Sequence, residues 1–435
     1  MGILTIKNYI PRISDAEIEE YLQVFGAVVI EGPKWCGKTT TAKNHAASEI
    51  SMANPENDFQ ARRLADLDPA LALDGSRPRL IDEWQDVPKL WDAVRFACDQ
   101  SAQPNQFILT GSSSPKKRKT KNAEQPRHSG AGRMVRVPMS TMTQFELGQS
   151  SGAVSIEALL KGSAVTAAAS SLTLERVAEL VVCGGWPQAR GKSPRSAARV
   201  ARGYLQAVVN EDIHEVDGIE RDREKVRRLI GSLARNESTL ASNKTLLRDA
   251  RGADSDEGVL TAPTMTEYMD ALRRLYFVQE IPAWSPNVRS STRIRSAAKR
   301  HLADPSLSAA ALGLSVKGLV EDTQTLGFLL ESLVAHDLIV YAGANGARVF
   351  HYRDDNDLEA DLIIEAEDGS WVPVEVKLGA SREDEGAANL LALKEKMRRA
   401  DYPDPAAMLV VVGVGGIAHR RPDGVTVATL DTMGV

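Results

Sequence analysis

The chain has 435 residues, 43% of them hydrophobic and 26% charged, with a formal net charge of −5. That length is more than one ordinary core holds and predicts about two or three domains. The slightly acidic balance excludes a chain that coats nucleic acid over its whole surface, so any such contact needs a local basic patch. Cys36, Cys98 and Cys183 are the only cysteines, spaced for neither a disulfide framework nor a zinc site, which points to a reducing cytoplasm.

The opening MGILTIKNYIPR lacks the apolar core of a signal peptide. Residues 15–25 carry acidic and apolar residues at helical spacing, and Ala27-Val28-Val29-Ile30 follows, bounded by turn formers. Such a short apolar run predicts a fully buried parallel strand. Arg79-Leu80-Ile81-Asp82 and Gln106-Phe107-Ile108-Leu109-Thr110 read the same way. Helical runs at 40–49 and 87–99 lie around them, and strands alternating with helices predict a parallel α/β sheet. Residues 113–132 are polar, basic and glycine-bearing, as in a mobile loop, and 134–138 form a further short strand. Residues 150–171, small and poor in aromatics, read as a helical insertion or linker, and the first domain is expected to finish between 190 and 215.

Residues 222–285 are helix-rich and charged. A long helix with Leu326, Leu329, Leu330, Leu333, Val334 and Leu338 on its apolar face then precedes strands at 348–352, 360–365 and 371–377, the last two joined by a turn at Asp368-Gly369. The late apolar run 408–418 is too short to span a bilayer and reads as a buried strand. No membrane association is expected.

Gly32-Pro33-Lys34-Trp35-Cys36-Gly37-Lys38-Thr39 fits the phosphate-loop pattern G-x-x-x-x-G-K-[ST] between a buried strand and a helix. The glycines let the backbone wrap phosphate, and the loop amides and helix N-terminus present positive potential. Lys38 reaches the β- and γ-phosphates, Thr39 offers its hydroxyl to Mg²⁺, and Thr40, in the first helical turn, completes the expected nucleotide-binding residues 32–40. Asp82-Glu83 ends the next strand: Asp82 would hold Mg²⁺ through water and Glu83 would polarise the attacking water. Ser112, with Thr110 as alternate, ends another strand facing the ligand crevice and either senses the γ-phosphate, orients water or forms a simple turn. ATP and Mg²⁺ are therefore the expected ligands.

The segments IEGPKWCGKTT, LIDEWQDVPKLWDAVR and FILTGSSSP, Gly132-Arg133 and the turn Gly184-Gly185-Trp186-Pro187 resemble the prokaryotic AAA-like ATPases that carry a C-terminal domain of unknown function. The resemblance implies an ASCE-type P-loop core, with an extra strand between the P-loop strand and the acidic strand. It implies domains at 1–210 (ATPase), 211–300 (winged-helix-like) and 301–435 (PD-(D/E)XK, or restriction-endonuclease-like). Arg133 matches the group's Gly-Arg and reads either as an arginine finger, in cis or toward a neighbouring subunit, or as a surface arginine. The basic insertion at 115–131 departs from the pattern, as do Trp35 and Cys36 inside the loop. Cys36 is either redox-sensitive through the helix N-terminus or inert.

In the C-terminal third, Asp361 and Glu375-Val376-Lys377 lie on adjacent strands, and alternation puts Glu375 and Lys377 on one face. Two carboxylates and a lysine suit a Mg²⁺ site, and Glu331 on the preceding helix fits the nuclease core's first acidic position. The alternative is a half-polar hairpin on a nuclease-like scaffold. Arg221, Arg223, Lys225, Arg227 and Arg228 on one helix, and Arg289, Arg293, Arg295, Lys299 and Arg300 after it, are basic stretches that either meet DNA phosphates or simply solvate. The expected function is a cytoplasmic Mg²⁺-dependent ATPase with DNA, a protein partner or its own copies as partners. The alternatives are a nucleotide-gated interaction protein and an ATP-dependent DNA nuclease.

Overall fold

The structure is a computed structural model that describes residues 8–114, 129–163, 165, 167–251, 260–286 and 297–435. It divides into two compact units. The first comprises Met1–Thr141, Glu211–Glu220 and Asp270–Phe277; the second comprises Met142–Asn210, Arg221–Met269 and Val278–Val435.

In the first unit the apolar runs become strands β1 (Ala27–Glu31), β3 (Arg79–Asp82) and β4 (Phe107–Gly111), each buried throughout. The more polar β2 (Ser48–Ser51) and β5 (Met134–Pro138) flank them. The order is β2-β3-β4-β1-β5, and every neighbouring pair is parallel. β4 therefore lies between β1 and β3, as the resemblance implied. Period-two alternation sorts the strand side chains onto two faces. Ala27, Val29, Ile81 and Leu109 pack on one side with Trp84, Trp91 and Val94. Val28, Ile30, Leu80 and Ile108 pack on the other with Ile18 and Leu22. The helix Ser14–Val24 buries Ile18 and Leu22, one turn apart, and each contributes about 1.5–3 kcal/mol when fully buried. The helix expected over 40–49 is shorter: Lys38–His45 is helical, and Ser48–Ser51 pairs with β3 instead. Two serines and a glutamate give that edge strand no apolar period to read.

The second unit contains β6 (Val154–Ser155), β7 (Ala168–Ala169), β8 (Val278–Ile281), β9 (Lys299–Leu302), β10 (Ala347–Arg353), β11 (Glu359–Ala366), β12 (Trp371–Gly379), β13 (Leu409–Val414), β14 (Ile417–Arg420), β15 (Thr426–Thr429) and β16 (Met433–Gly434). A seven-stranded sheet runs β10-β11-β12-β13-β15-β14-β7. β10, β11 and β12 are antiparallel neighbours, while β12, β13 and β15 are parallel. The helix Thr323–Ala344 precedes β10, and Glu383–Arg399 joins β12 to β13. Thr323–Ala344 is long and apolar enough to cross a membrane by length and composition. Its Leu326, Leu329, Leu330, Leu333 and Leu338 are buried inside the unit.

The compact units do not follow the boundaries expected at 210 and 300. Residues 142–210 group with the C-terminal sequence, whereas 211–220 and 270–277 return to the first unit. The stretch read as a helical insertion or linker holds the helix Ile156–Leu160 and is woven in: Val154 pairs with Met433, and Ala169 with Ile417. Such two-residue strands exist only through their partners and leave no local signal.

The turn Gly184-Gly185-Trp186-Pro187 is a packing device. Gly184 holds φ +61, and a Cβ on Gly185 would meet the backbone of Met142. Met142 N donates to Gly185 O (2.7 Å), Gly185 N donates to Asp304 Oδ2 (2.8 Å), and Trp186 Nε1 donates to Ser306 Oγ (2.9 Å). Gly185→Ala forces backbone apart and is expected to cost about 1–3 kcal/mol. A thermal midpoint unchanged from the parent would refute that packing account.

Candidate nucleotide site

Because β1, β3 and β4 are parallel and in register, their C-terminal ends meet at one edge of the first unit's sheet. Glu31 pairs with Gly111, and Asp82 with Thr110. The phosphate loop leaves β1 at this edge. Gly32 is required by space, since a Cβ there would run into the Met139 carbonyl. Gly37 is required by conformation, at φ +108, and caps the helix Lys38–His45. Trp35 also holds a positive φ, 67°, a conformation that costs a non-glycine residue about 1–2 kcal/mol.

Lys38 is almost fully buried, and its ammonium donates to the carbonyls of Gly32 (2.9 Å) and Pro33 (2.7 Å), so it lies within the curve of the loop. Thr39 Oγ1 donates to Asp82 Oδ1 (2.7 Å), which also accepts from Thr110 Oγ1 (2.6 Å). Ser51 Oγ donates to Asp82 Oδ2 (3.1 Å). Glu83, with φ 56°, turns its carboxylate toward Ser112, whose hydroxyl donates to Oε2 at 2.9 Å. Gln85 Nε2 donates to the same Glu83 oxygen and lies 3.4 Å from Ser112 Oγ. Thr110 thus braces Asp82 while Ser112 braces Glu83. Two strand-end hydroxyls that the sequence offered as alternates have separate partners.

Other loop residues are held from behind. Arg12 is buried and donates to Cys36 O (2.9 Å), Ser140 O (2.9 Å) and Thr141 O (3.3 Å). The Cys36 side chain is fully buried with its sulfur 3.5 Å from Met139 O, which removes the access that a redox role requires. Lys34 pairs with the buried Asp212 of the returning segment. Burial opposes the Lys34 charge, but Asp212, Glu215 and Glu83 outweigh it and hold its pKa above the ordinary lysine value. Thr40 is exposed in the first helical turn. At the end of β4, Ser114 N donates to Arg274 O (2.9 Å), and Ser114 Oγ lies 2.8 Å from the Tyr276 hydroxyl. No role at this site was expected for Arg12, Gln85, Asp212 or Tyr276. Only Gln85, inside the segment LIDEWQDVPKLWDAVR and two residues past Glu83, had any local signal.

Arg133 is not brought to this site. Its carbonyl accepts from Ala27 N (3.1 Å) at the start of β1, and its guanidinium pairs with Asp99. The loop follows the other end of β1, about 16 Å away at strand rise. A finger in cis is therefore corrected: a parallel strand puts its first and last residues on opposite edges of the sheet. Arg133→Ala is expected to leave turnover by dilute protein unchanged. A loss that grows with protein concentration would place Arg133 at a nucleotide on a second copy.

In the second unit, Glu331, Asp361, Glu375 and Lys377 do come together. Val376 N donates to Asp361 Oδ2 (2.8 Å), Lys377 Nζ to Glu375 Oε2 (2.6 Å), and Asn389 Nδ2 to Glu375 Oε1 (2.6 Å). Lys299 enters the same cluster, with Nζ 2.7 Å from Glu331 Oε1 and 3.2 Å from Asp361 O. Burial, then repulsion from Asp361, pushes the Glu331 carboxyl up to about 8 and that of Glu375 up to about 7. Among the described residues no group of three or more His, Cys, Asp or Glu is arranged to hold a metal ion. The Mg²⁺ reading of Asp361 and Glu375 therefore does not fit the residues as placed: Lys377 and Asn389 take both oxygens of Glu375, Val376 N takes Oδ2 of Asp361, and Lys299 Nζ stands 4.0 Å from its Oδ1.

The basic stretches are largely paired. Arg227 and Arg228 pair with Glu224, and Arg221 is buried over the Tyr268 ring. Arg300 pairs with Glu280 and also donates to Ala241 O and Asn243 Oδ1. Arg289, Arg293 and Arg295, like residues 115–128 of the basic insertion, lie outside the described residues.

Comparison with known proteins gives three family matches. An AAA domain matches residues 25–148, which contain the whole phosphate loop, Asp82, Glu83 and Ser112. Domains of unknown function, DUF8612 and DUF4143, match residues 174–318 and 326–432. Uncharacterized proteins of Mycobacterium bovis and Mycobacterium tuberculosis are each 27% identical over 358 residues, covering 81% of this chain and 71% of theirs. Among solved structures, a Walker-type ATPase of Pyrococcus abyssi aligns with TM-score 0.40 and 13% identity, over 72% of this chain and 98% of that one. The replication initiator DnaA bound to AMPPCP and single-stranded DNA aligns with TM-score 0.27 and 14% identity, over 62% and 90%.

Proposed function

We propose, from the premise that residues 25–148 are an AAA-like P-loop domain, that this chain binds Mg²⁺-ATP and hydrolyses it. The observation that carries the reading is the convergence of Thr39, Asp82, Glu83 and Ser112 beside the loop, with Thr39 Oγ1 and Asp82 Oδ1 2.7 Å apart and Ser112 Oγ 2.9 Å from Glu83. Two adjacent oxygen ligands, one of them a carboxylate, fit the preference of Mg²⁺ for oxygen donors. The ion supplies charge neutralisation at the phosphates. The loop amides and the N-terminus of the helix Lys38–His45 hold the phosphate oxygens, and Lys38 brings a positive charge onto the β- and γ-phosphates. Glu83, oriented by Ser112 and Gln85, accepts a hydrogen bond from the attacking water and aims it at the γ-phosphorus.

The C-terminal region serves in this reading as a nuclease-like scaffold for a partner in the cytoplasm. The order helix, β10, β11, β12, helix, β13, with Glu331, Asp361, Glu375 and Lys377 gathered on it, supports the nuclease-like fold. Helices Arg223–Arg235, Asn243–Arg251 and Ala262–Arg274, followed by the antiparallel β8 and β9, support the winged-helix reading. DNA and a protein partner, including a second copy of the chain, are the candidate occupants. The test is phosphate release by the purified chain with Mg²⁺-ATP alone, with duplex DNA and with RNA. Release under any of these conditions is expected. ATP binding without release under all of them would leave a nucleotide-gated interaction protein.

A further inference from the structure

We infer that the ammonium of Lys299 is the resident counter-charge of the Glu331–Asp361–Glu375 cluster, so that this chain fills internally the place where a nuclease-like fold would hold a divalent cation. The inference rests on the nuclease-like reading of the C-terminal fold and is independent of the ATP site.

The position of Lys299 is fixed by backbone. It opens β9, which pairs antiparallel with β8 so that Lys299 faces Ile281. The neighbouring Arg300 is anchored to Glu280, Ala241 O and Asn243. From that strand the side chain, only 10% exposed, runs into the cluster. Its ammonium meets Glu331 Oε1 at 2.7 Å, Asp361 O at 3.2 Å and Asp361 Oδ1 at 4.0 Å. A lysine that merely solvated its charge would reach outward along its flexible stem.

Four of the six carboxylate oxygens in the cluster already accept hydrogen bonds, and Lys299 Nζ stands 4.0 Å from a fifth, Asp361 Oδ1. Asp361 Oδ2 accepts from Val376 N, both oxygens of Glu375 accept from Lys377 and Asn389, and Glu331 Oε1 accepts from Lys299. Mg²⁺ demands near-octahedral oxygen coordination at about 2.0–2.1 Å. To use those four oxygens it would have to displace two ammonium groups, the Asn389 amide and the Val376 N–H. Two lysines already face the three carboxylates, so a divalent ion would also add to an existing positive charge in a buried space. The lysine satisfies the acidic cluster without a metal and holds β9 against the helix Thr323–Ala344 and β11.

The experiment counts Mn²⁺ bound to the full chain without nucleotide, by electron paramagnetic resonance, in the parent, Asp361→Asn, Lys299→Met and Lys299→Met/Asp361→Asn. The parent and Asp361→Asn are expected to bind the same number of ions, and neither should cut supercoiled plasmid with Mn²⁺. Lys299→Met is expected to gain one ion per chain, and the double variant to lose that gain. A parent that binds one more Mn²⁺ than Asp361→Asn, or that cuts plasmid in an Asp361-dependent way, overturns the inference. A folded Lys299→Met chain that gains no ion overturns it as well. If Lys299→Met does not fold, the comparison of parent with Asp361→Asn still decides. None of these readouts involves ATP, so loss of ATP turnover cannot be mistaken for failure here.

Discussion

With Gln in place of Glu83, the chain should still bind ATP but release phosphate slower by on the order of 10², the scale on which a positioned general base acts. The substitution keeps side-chain length and removes the charge that draws a proton from water. In the parent, Ser112 Oγ and Gln85 Nε2 both donate to Glu83 Oε2, which fixes the carboxylate and leaves its other oxygen for the water. The Gln variant keeps an amide oxygen that accepts those two hydrogen bonds, so the loop and strand ends should stay in place. Calorimetric ATP affinity close to the parental value is therefore part of the expected result. Parental turnover in Glu83→Gln would remove Glu83 from the reaction. Lost affinity would mean that Glu83 shapes the binding site instead.

Lys38→Met should weaken ATP binding at least about tenfold, or about 1.4 kcal/mol. The ammonium is the side-chain cation expected on the β- and γ-phosphates, and in the structure it donates to the carbonyls of Gly32 and Pro33. Met keeps most of the buried stem, whereas Ala would also open a gap behind the loop, so a larger loss in Lys38→Ala than in Lys38→Met reports loop packing. Lost hydrogen bonds to two loop carbonyls also predict a small drop in thermal stability without nucleotide. Unchanged affinity in Lys38→Met, measured by calorimetry, would overturn the phosphate-loop assignment.

The two candidate sites were legible to different degrees. The phosphate loop is written in consecutive residues, because the turn, the helix start, the lysine and the threonine must follow one another along the backbone. Asp82 and Glu83 were legible because a buried parallel strand leaves an apolar run with its polar end exposed to the sheet edge. Ser112 was found as a strand end, but its bond to Glu83 and the separate bond of Thr110 to Asp82 depend on the register of β3 against β4. The pairing of Glu375 with Lys377 followed from alternation on one strand. Lys299 belonged, in sequence, to a basic run. Nothing local distinguishes it from Arg300, yet one is buried among carboxylates and the other pairs with Glu280.

The amino-acid sequence by itself determined the local chemistry of the loop, the buried strands around it and the helix-then-meander order at 323–379, because each depends on spacing within a few residues. Tertiary structure decided the rest. It placed Arg133 at the edge of the sheet away from the loop, since a strand's two ends face opposite ways. It returned residues 211–220 and 270–277 to the first unit, tying Asp212 to Lys34 and Tyr276 to Ser114. It also paired Val154 with Met433 and drove Lys299 into the acidic cluster. These contacts join residues far apart in the chain, and the free energy that selects them comes from burial and charge pairing that exist only once both partners are in place.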